Sequence, residues 1–105
     1  MRPAIIAIGQ SVYTRHPDEN QNTRTLMRDA IISAIKDSGL KLSDIDGLAI
    51  TSFSIAPDSA IDIAWRLGLS LKWLLQDSNG GSSAMNMLGH ASRAIETNAA
   101  SNIII

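Results

Sequence analysis

The chain has 105 residues and no cysteine, and its nine basic and ten acidic side chains leave a net charge of -1. Without a basic run, nucleic acid and anionic membrane surfaces are excluded as expected partners, and no apolar stretch is long enough to span a bilayer. The absence of cysteine excludes disulfides and thiolate metal sites. We therefore expect a single cytoplasmic domain with no metal centre and no bound cofactor.

The first third of the chain predicts a strand, a loop and a helix. The continuous apolar run at residues 4–8 predicts a strand that is covered on both faces. After a polar loop, apolar residues at helical spacing predict a helix that begins at Asn22 or Thr23. Gly39 follows the last residue of this pattern and is predicted to end the helix.

The middle of the chain predicts a turn, a strand and a shorter helix. Asp44 and Asp46 are typical of a turn in which the side chains accept local backbone hydrogen bonds. The turn leads into a second apolar run at residues 48–51, which predicts a strand. A second helix follows, with Asp58 or Ser59 as its predicted N-cap.

The last third predicts strand, turn, helix and strand. Residues 71–76 form the third predicted strand, and an amphipathic pattern over residues 83–97 predicts the third helix. The chain ends in the apolar run 103–105, which predicts a fourth strand. Alternating strands and helices indicate an α/β fold, a mixed sheet with flanking helices.

The glycine-rich turn between the third strand and the third helix is the strongest candidate site. Small residues at a helix N-terminus leave backbone N–H groups free to bind an anion or an oxyanion. Alternatively, Gly80 and Gly81 make only a tight turn, and Ser82 or Ser83 caps the helix. A nucleophilic serine would need an adjacent base, and His90 lies about two helical turns away.

Several aromatic and sulfur-containing side chains are expected to pack rather than react. Trp65 and Trp73 predict core or subunit contacts, and Trp73 is the better interface candidate because aromatic anchors are enriched at interfaces. Met85 and Met87 are expected to fill gaps in the core beside the glycine-rich turn, with acyl-pocket lining as the second interpretation.

Four stretches of the sequence, taken in order, resemble the N-terminal half of the thiolase superfamily. The likeness is closest to the thiolase-like branch related to sterol carrier protein x and the lipid-transfer aldolases. The stretches are the opening strand with its glycine–glutamine turn (4–13), the helix and Ile-Asp-Gly entry to the second strand (30–48), the glycine-rich turn (79–84) and the last helix and strand (94–105). Together they identify residues 1–105 as a partial thiolase-like N-terminal domain.

The resemblance implies which positions of the turn would meet the substrate. Classical thiolases carry a nucleophilic cysteine at the start of this helix, and the register places that position on Gly81, or on Ser82 if it shifts by one. The neighbouring positions implied to bind substrate are Asn79, Gly80 and Ser83. Because no cysteine is present, the resemblance implies retro-aldol or other carbon–carbon bond chemistry, with acid and base residues in a later part of the fold.

The resemblance also implies partners for the chain. A CoA thioester would be the substrate, and subunits would pair through residues 71–77 and helix 83–97. Aldolases of this branch work with a zinc-ribbon and OB-fold protein, so either a homodimer or a hetero-oligomer is expected. Since the chain ends in a strand-like run, we expect it to be the N-terminal portion of a longer protein and inactive in isolation. A catalytically silent subunit and an acyl-CoA or lipid-binding module are the alternatives.

Overall fold

A computed structural model describes residues 2–51 and 59–105 of the chain. Its elements, in chain order, are three α-helices, a short 3-10 helix and three strands. They are α1 (Thr23–Ser38), the 3-10 helix (Leu42–Asp44), β1 (Gly47–Thr51), α2 (Ala60–Leu67), β2 (Trp73–Asp77), α3 (Ser83–Glu96) and β3 (Ile103–Ile104). None of the described helices is both long enough and apolar enough to cross a membrane.

The three described strands form one parallel sheet in the order β2-β1-β3. The central strand β1 pairs Gly47 with Trp73 on one side and with Ile103 on the other. Strands that run parallel must be joined by crossover connections, and each crossover here contains a helix. The predicted α/β fold with flanking helices is confirmed.

The hydrophobic core lies on β1 and the helices packed against it. Leu48 is fully buried on β1, and Met87 is fully buried on α3. The largest core cluster joins buried residues of α1, β1, α2 and the turn before β1; its members are Ile31, Ile35, Ile45, Leu48, Ile50, Ala60, Ile63 and Ala64. A strand covered on both sides has the continuous apolar sequence that residues 48–50 show.

The boundaries of α1 and α2 agree with the sequence predictions because local groups determine them. The Asn22 side chain accepts a hydrogen bond from the Thr25 N–H at 3.0 Å, and Gly39 ends α1 with a left-handed φ of 74°. Ser59 caps α2, while the alternative cap, Asp58, lies outside the described residues. Capping side chains satisfy N–H groups that no helical carbonyl can reach.

The predicted first strand is wrong for the described part of the chain. Residues 4–8 have no ladder partner there, and Ile5, Ile6 and Ile8 are 61–80% exposed. The reason is the close approach of this segment to α1: a Cβ on Gly9 would lie 2.3 Å from the Ala30 carbonyl oxygen. The segment therefore lies against a helix, whose backbone hydrogen-bonding groups are already paired, and not against a sheet edge.

Three smaller expectations also need correction. Trp65 is 77% exposed on α2, which removes the core alternative and leaves the subunit contact as the prediction. Met85 is 71% exposed on α3 and does not pack in the core of this chain, whereas Met87 does. β2 begins at Trp73 and not at residue 71, since the ladder with β1 starts at the Gly47–Trp73 pair. Helical or strand periodicity alone does not reveal which face of an element finds a partner.

Asp46 links elements that are far apart in sequence, where only a local turn was expected. Its Oδ1 accepts hydrogen bonds from the N–H groups of Ser101 and Asn102, both at 2.8 Å. Its Oδ2 lies 3.6 Å from the Lys72 ammonium nitrogen. Partial burial would raise the pKa of Asp46, but the Asn102 and Ser101 N–H groups and Lys72 outweigh it and hold the pKa below its ordinary value. One carboxylate therefore ties β1 to the connection that leads into β3.

Replacing Asp46 by alanine should lower the free energy of unfolding at neutral pH by about 1–3 kcal/mol, because two N–H groups lose a charged acceptor. Folding lowers the pKa of the Asp46 carboxyl. The stabilisation is therefore complete above the pKa of this group in the unfolded chain, about 3.9, and is lost as the pH falls through its pKa in the folded chain. Denaturant unfolding at pH 7 and pH 3 measures both effects.

Asp29→Ala is the matched control, because the Asp29 carboxylate pairs only with its exposed neighbour Arg28 among the described groups, and such surface pairs contribute about 0–1 kcal/mol. An Asp46→Ala protein that loses as much stability between pH 7 and pH 3 as the native protein would contradict the assignment.

Candidate functional site

The glycine-rich turn lies at the carboxyl ends of two neighbouring parallel strands. Thr51 ends β1 and Asp77 ends β2, and these residues are the last registered pair of the ladder. Residues 78–82 then lead directly into α3. In open α/β sheets, ligands bind at this edge, outside the carboxyl ends of the strands. The sequence-predicted site residues 79–83 are therefore together on one turn at the edge where such sites occur.

The two glycines of the turn have different structural requirements. Gly80 has a φ of 90°, a region that side chains with a Cβ rarely adopt, and its carbonyl accepts the Ser83 N–H at 3.0 Å. Gly81 has no such constraint, and a Cβ built on it meets nothing within 4 Å. Gly80 is thus needed by the backbone, whereas the lack of a side chain at Gly81 leaves space that a ligand can occupy.

The N-terminus of α3 has no side-chain cap, although one of the two serines predicted to cap it stands at the N-cap position. Ser82 occupies the N-cap position, yet its side chain makes no capping hydrogen bond, and Ser83 is fully buried as the first helical residue. Within residues 2–51 and 59–105, the N–H groups of Gly80, Gly81 and Ser82 donate no hydrogen bond. Among the described residues, these backbone donors therefore have no partner.

Asp77 is a site residue that sequence reasoning missed. One of its carboxylate oxygens accepts the Thr51 hydroxyl at 3.0 Å and the Asn79 N–H at 3.4 Å. The Ser83 hydroxyl, opposed by partial desolvation and assisted by Thr51 and Asn79, holds the pKa of the Asp77 carboxyl below its ordinary value. An acidic residue at the end of a strand, directly before a glycine-rich turn, was the available signal.

The described residues do not assemble an activated nucleophile. The Ser82 side chain is exposed and makes no hydrogen bond to a histidine or carboxylate in the part of the chain that is described. His90 is exposed, and its Nδ1 lies 3.3 Å from an Arg93 guanidinium nitrogen. No group of three histidine or acidic residues that could hold a metal ion occurs among the described residues. What the turn offers chemically is backbone hydrogen-bond donors beside open space.

A concave region lies beside the edge of β3 that has no strand partner among the described residues. It is a groove of about 550 Å³ between α1 and α3, walled on one side by residues 3–9 and on another by residues 103–105. Its lining is mainly aliphatic, and none of the turn residues 79–83 contributes to it. The turn and the groove are thus separate features of the surface.

Comparison with known proteins gives two curated relatives, and no family model matches the chain. The chain is 28% identical over 102 residues to 17-hydroxy-3-oxo-4-pregnene-20-carboxyl-CoA lyase of Mycobacterium tuberculosis. It is 29% identical over the same length to a steroid side-chain-cleaving aldolase of Thermomonospora curvata. Both alignments cover 96% of this chain, which spans about a quarter of the length of either relative.

The chain is also similar to a solved structure of an aldolase. The chain matches the Ltp2-ChsH2(DUF35) aldolase with a TM-score of 0.80 and 31% sequence identity. The match covers 95% of this chain and 25% of the solved chain. The chain therefore resembles, over almost all of its length, an aldolase-like family of lipid metabolism.

Proposed function

We propose that this chain forms the N-terminal part of a thiolase-like enzyme that cleaves or forms a carbon–carbon bond in an acyl-CoA thioester without a cysteine nucleophile. The observation that carries the proposal is the similarity to one carboxyl-CoA lyase and one steroid side-chain-cleaving aldolase over 96% of the chain. The sterol carrier protein x-like branch is the finer assignment, and it rests on the order of the four sequence stretches described above.

The turn at 79–83 supports a role in binding the thioester. Its N–H groups, which have no partner among the described residues, lie at the carboxyl edge of the sheet, and the space beside Gly81 admits a substrate group to that position. A carbonyl oxygen held there would fix the position of the thioester relative to the bond that breaks, which is how orientation contributes to rate. Gly81 and Ser82 stand where the thiolase nucleophile would be, so in this proposal they position substrate and form no covalent bond with it.

In the retro-aldol direction, a base outside this chain removes the proton of the substrate's β-hydroxyl group. The Cα–Cβ bond then breaks, its electron pair moves into the thioester to form an enolate, and a carbonyl product leaves. Protonation at Cα completes the shorter acyl-CoA. The chain contributes binding and orientation in this scheme, and the proton transfers belong to the rest of the protein.

The edge of β2 supports the proposed subunit contacts. Among the described residues only β1 pairs with β2, and Leu74 on this edge strand is 40% exposed. We propose that a second subunit covers this edge, together with Trp73. The Ltp2-ChsH2(DUF35) aldolase is named for two components, which supports a hetero-oligomer. We propose a zinc-ribbon and OB-fold protein as the partner on the sequence resemblance alone.

Turnover of β-hydroxyacyl-CoA thioesters by the full natural protein, with and without such a partner, tests the function. Formation of a carbonyl product and a shortened acyl-CoA is the expected result. A correctly folded, correctly assembled protein that releases no carbonyl product from any β-hydroxyacyl-CoA, steroidal or aliphatic, would overturn it.

The aliphatic groove favours one alternative, an acyl-CoA or lipid-binding module without catalysis. Its volume of about 550 Å³ falls in the range of small-molecule sites, and its lining suits an acyl chain. Titration with acyl-CoA separates the two functions. Tight binding without turnover, weakened by a polar replacement of the groove residue Leu88 and not by Gly81→Leu, would favour the module.

A further inference from the structure

The aliphatic groove beside β3 has unpaired backbone on two opposite walls. One wall is residues 103–105, which include β3, and the other is residues 3–9. Among the described strands β3 pairs only with β1, so its other edge presents backbone groups without a strand partner. On the opposite wall, the N–H groups of Ile5, Ile6 and Ala7 donate no hydrogen bond to any residue in the described ranges. The groove therefore separates two stretches of backbone that can each accept a neighbour.

Two helices cover the groove from opposite faces of the sheet. The crossover from β1 to β2 and the crossover from β2 to β3 run in opposite directions across the sheet, so right-handed connections place α2 and α3 on opposite faces. Helix α1 contacts α2 and lies on its face. In the groove, α1 contributes Ile31 and Ile35, and α3 contributes Leu88 and Ile95. The space thus has the surroundings of a central strand position, with a helix above and a helix below.

A β-strand satisfies both the walls and the lining of this groove, whereas a lipid satisfies only the lining. An acyl chain would cover the aliphatic side chains but would bury the wall N–H groups without acceptors, which is costly. A strand supplies carbonyl and N–H groups to both walls. The walls themselves have strand-type sequences, since residues 4–8 and 103–105 are continuous apolar runs. The 61–80% exposure of Ile5, Ile6 and Ile8 is apolar surface that such a strand would reduce.

We propose that a further β-strand of the same polypeptide, located after Ile105 in the full natural protein, fills this groove and pairs with β3 on one side and with residues 4–8 on the other. The chain spans about a quarter of the length of its curated relatives, so a protein of their length has the polypeptide to supply this strand. Because β3 lines the groove, polypeptide that continues past Ile105 starts at its wall.

The proposal has consequences for the sequence of the strand and for the use of the groove. A strand with α1 on one face and α3 on the other is buried on both faces, so it should be a continuous apolar run. Its insertion would extend the three-stranded sheet to five strands, with residues 4–8 at one edge. The inference does not depend on the proposed reaction, and it counts against the lipid-binding alternative because a filled groove has no space for an acyl chain.

Amide hydrogen exchange of the full natural protein tests the pairing at residues 4–8. The Ile8 N–H donates to an Asp37 carboxylate oxygen at 3.3 Å, so strand alternation would turn the N–H groups of Ile5 and Ala7 toward the groove. The protection factors of Ile5 and Ala7 should be at least about 100-fold higher than that of Arg15, an exposed loop residue. The proposal is overturned if both amides exchange as freely as the Arg15 amide.

Cross-linking from inside the groove identifies its occupant. Leu88 is replaced by a diazirine analogue of leucine in the full natural protein, and the adducts are mapped by mass spectrometry after irradiation. We expect an adduct within one polypeptide, to an apolar segment that lies after Ile105. The same analogue in place of Leu74, on the opposite edge of the sheet, should not label that segment.

The outcomes of the cross-linking separate the possible occupants. Adducts from Leu88 to another subunit, to a bound lipid or only to residues 1–105 would each overturn the proposal. A protein that shows the expected adduct and the protected amides but cleaves no CoA thioester would count against the proposed function alone.

Discussion

Replacing Gly81 by leucine should reduce kcat/KM for a β-hydroxyacyl-CoA by about 100-fold in the full protein, with little change in thermal stability. The leucine side chain would occupy the space beside the turn, where a Cβ meets nothing within 4 Å, and would displace the thioester from the N–H donors. A displacement of about 1 Å is enough for an effect of this size. Steady-state kinetics and a thermal melt of the same preparation measure both quantities.

Two controls separate this effect from a general disturbance. Asn20→Leu places the same side chain on an exposed loop and should leave both activity and stability unchanged. Gly80→Ala should instead lower stability by about 1–3 kcal/mol, because alanine is strained at a φ of 90°. A folded Gly81→Leu protein with native kcat/KM would remove the turn from the proposed mechanism.

Replacing Leu48 by alanine should produce the largest loss of stability that we predict, about 2–5 kcal/mol in the free energy of unfolding. Leu48 is completely buried on the central strand and belongs to the cluster that joins α1, β1 and α2. Truncation leaves a cavity that neighbours on two sides of the strand cannot easily fill. Denaturant unfolding followed by circular dichroism measures the change.

Leu74→Ala is the matched control, because Leu74 pairs with Leu48 in the β1–β2 register but is 40% exposed. In a dissociated subunit, Leu74→Ala should lower the free energy of unfolding by less than about 1 kcal/mol. A Leu48→Ala loss no greater than the Leu74→Ala loss would contradict the position of β1 at the centre of the core. A Leu74→Ala loss that appears only in the assembled protein would support the proposed subunit contact at β2.

The helix boundaries were predictable because the groups that determine them are close in sequence. Asn22 and Gly39 delimit α1 through contacts within four residues, and Ser59 caps α2 in the same way. The resemblance in the four stretches likewise located the turn at 79–83, and the similarity to aldolases was found afterwards over nearly the whole chain.

The incorrect predictions concern contacts between residues that are distant in sequence. Asp46 stands in a segment whose sequence is typical of a local turn, yet its hydrogen-bond partners Ser101 and Asn102 lie more than 50 positions away. Residues 4–8 have the sequence of a buried strand, but the close packing of Gly9 on α1 places them on a helix. Ser82 has the identity of a cap, but its backbone conformation is helical, and its side chain does not reach the free N–H groups.

The pattern of amino acids was enough to predict the α/β class, the helix limits and the location of the glycine-rich turn, since periodicity, caps and glycines act over a few residues. It also showed that none of the 105 residues is a cysteine. The strand order and the pairing of Thr51 with Asp77 at the end of the β1–β2 ladder became visible only in the folded chain. The charge and hydrogen bonding of the turn depend on which strand ends lie next to each other. Strand pairing between residues far apart in sequence sets that arrangement.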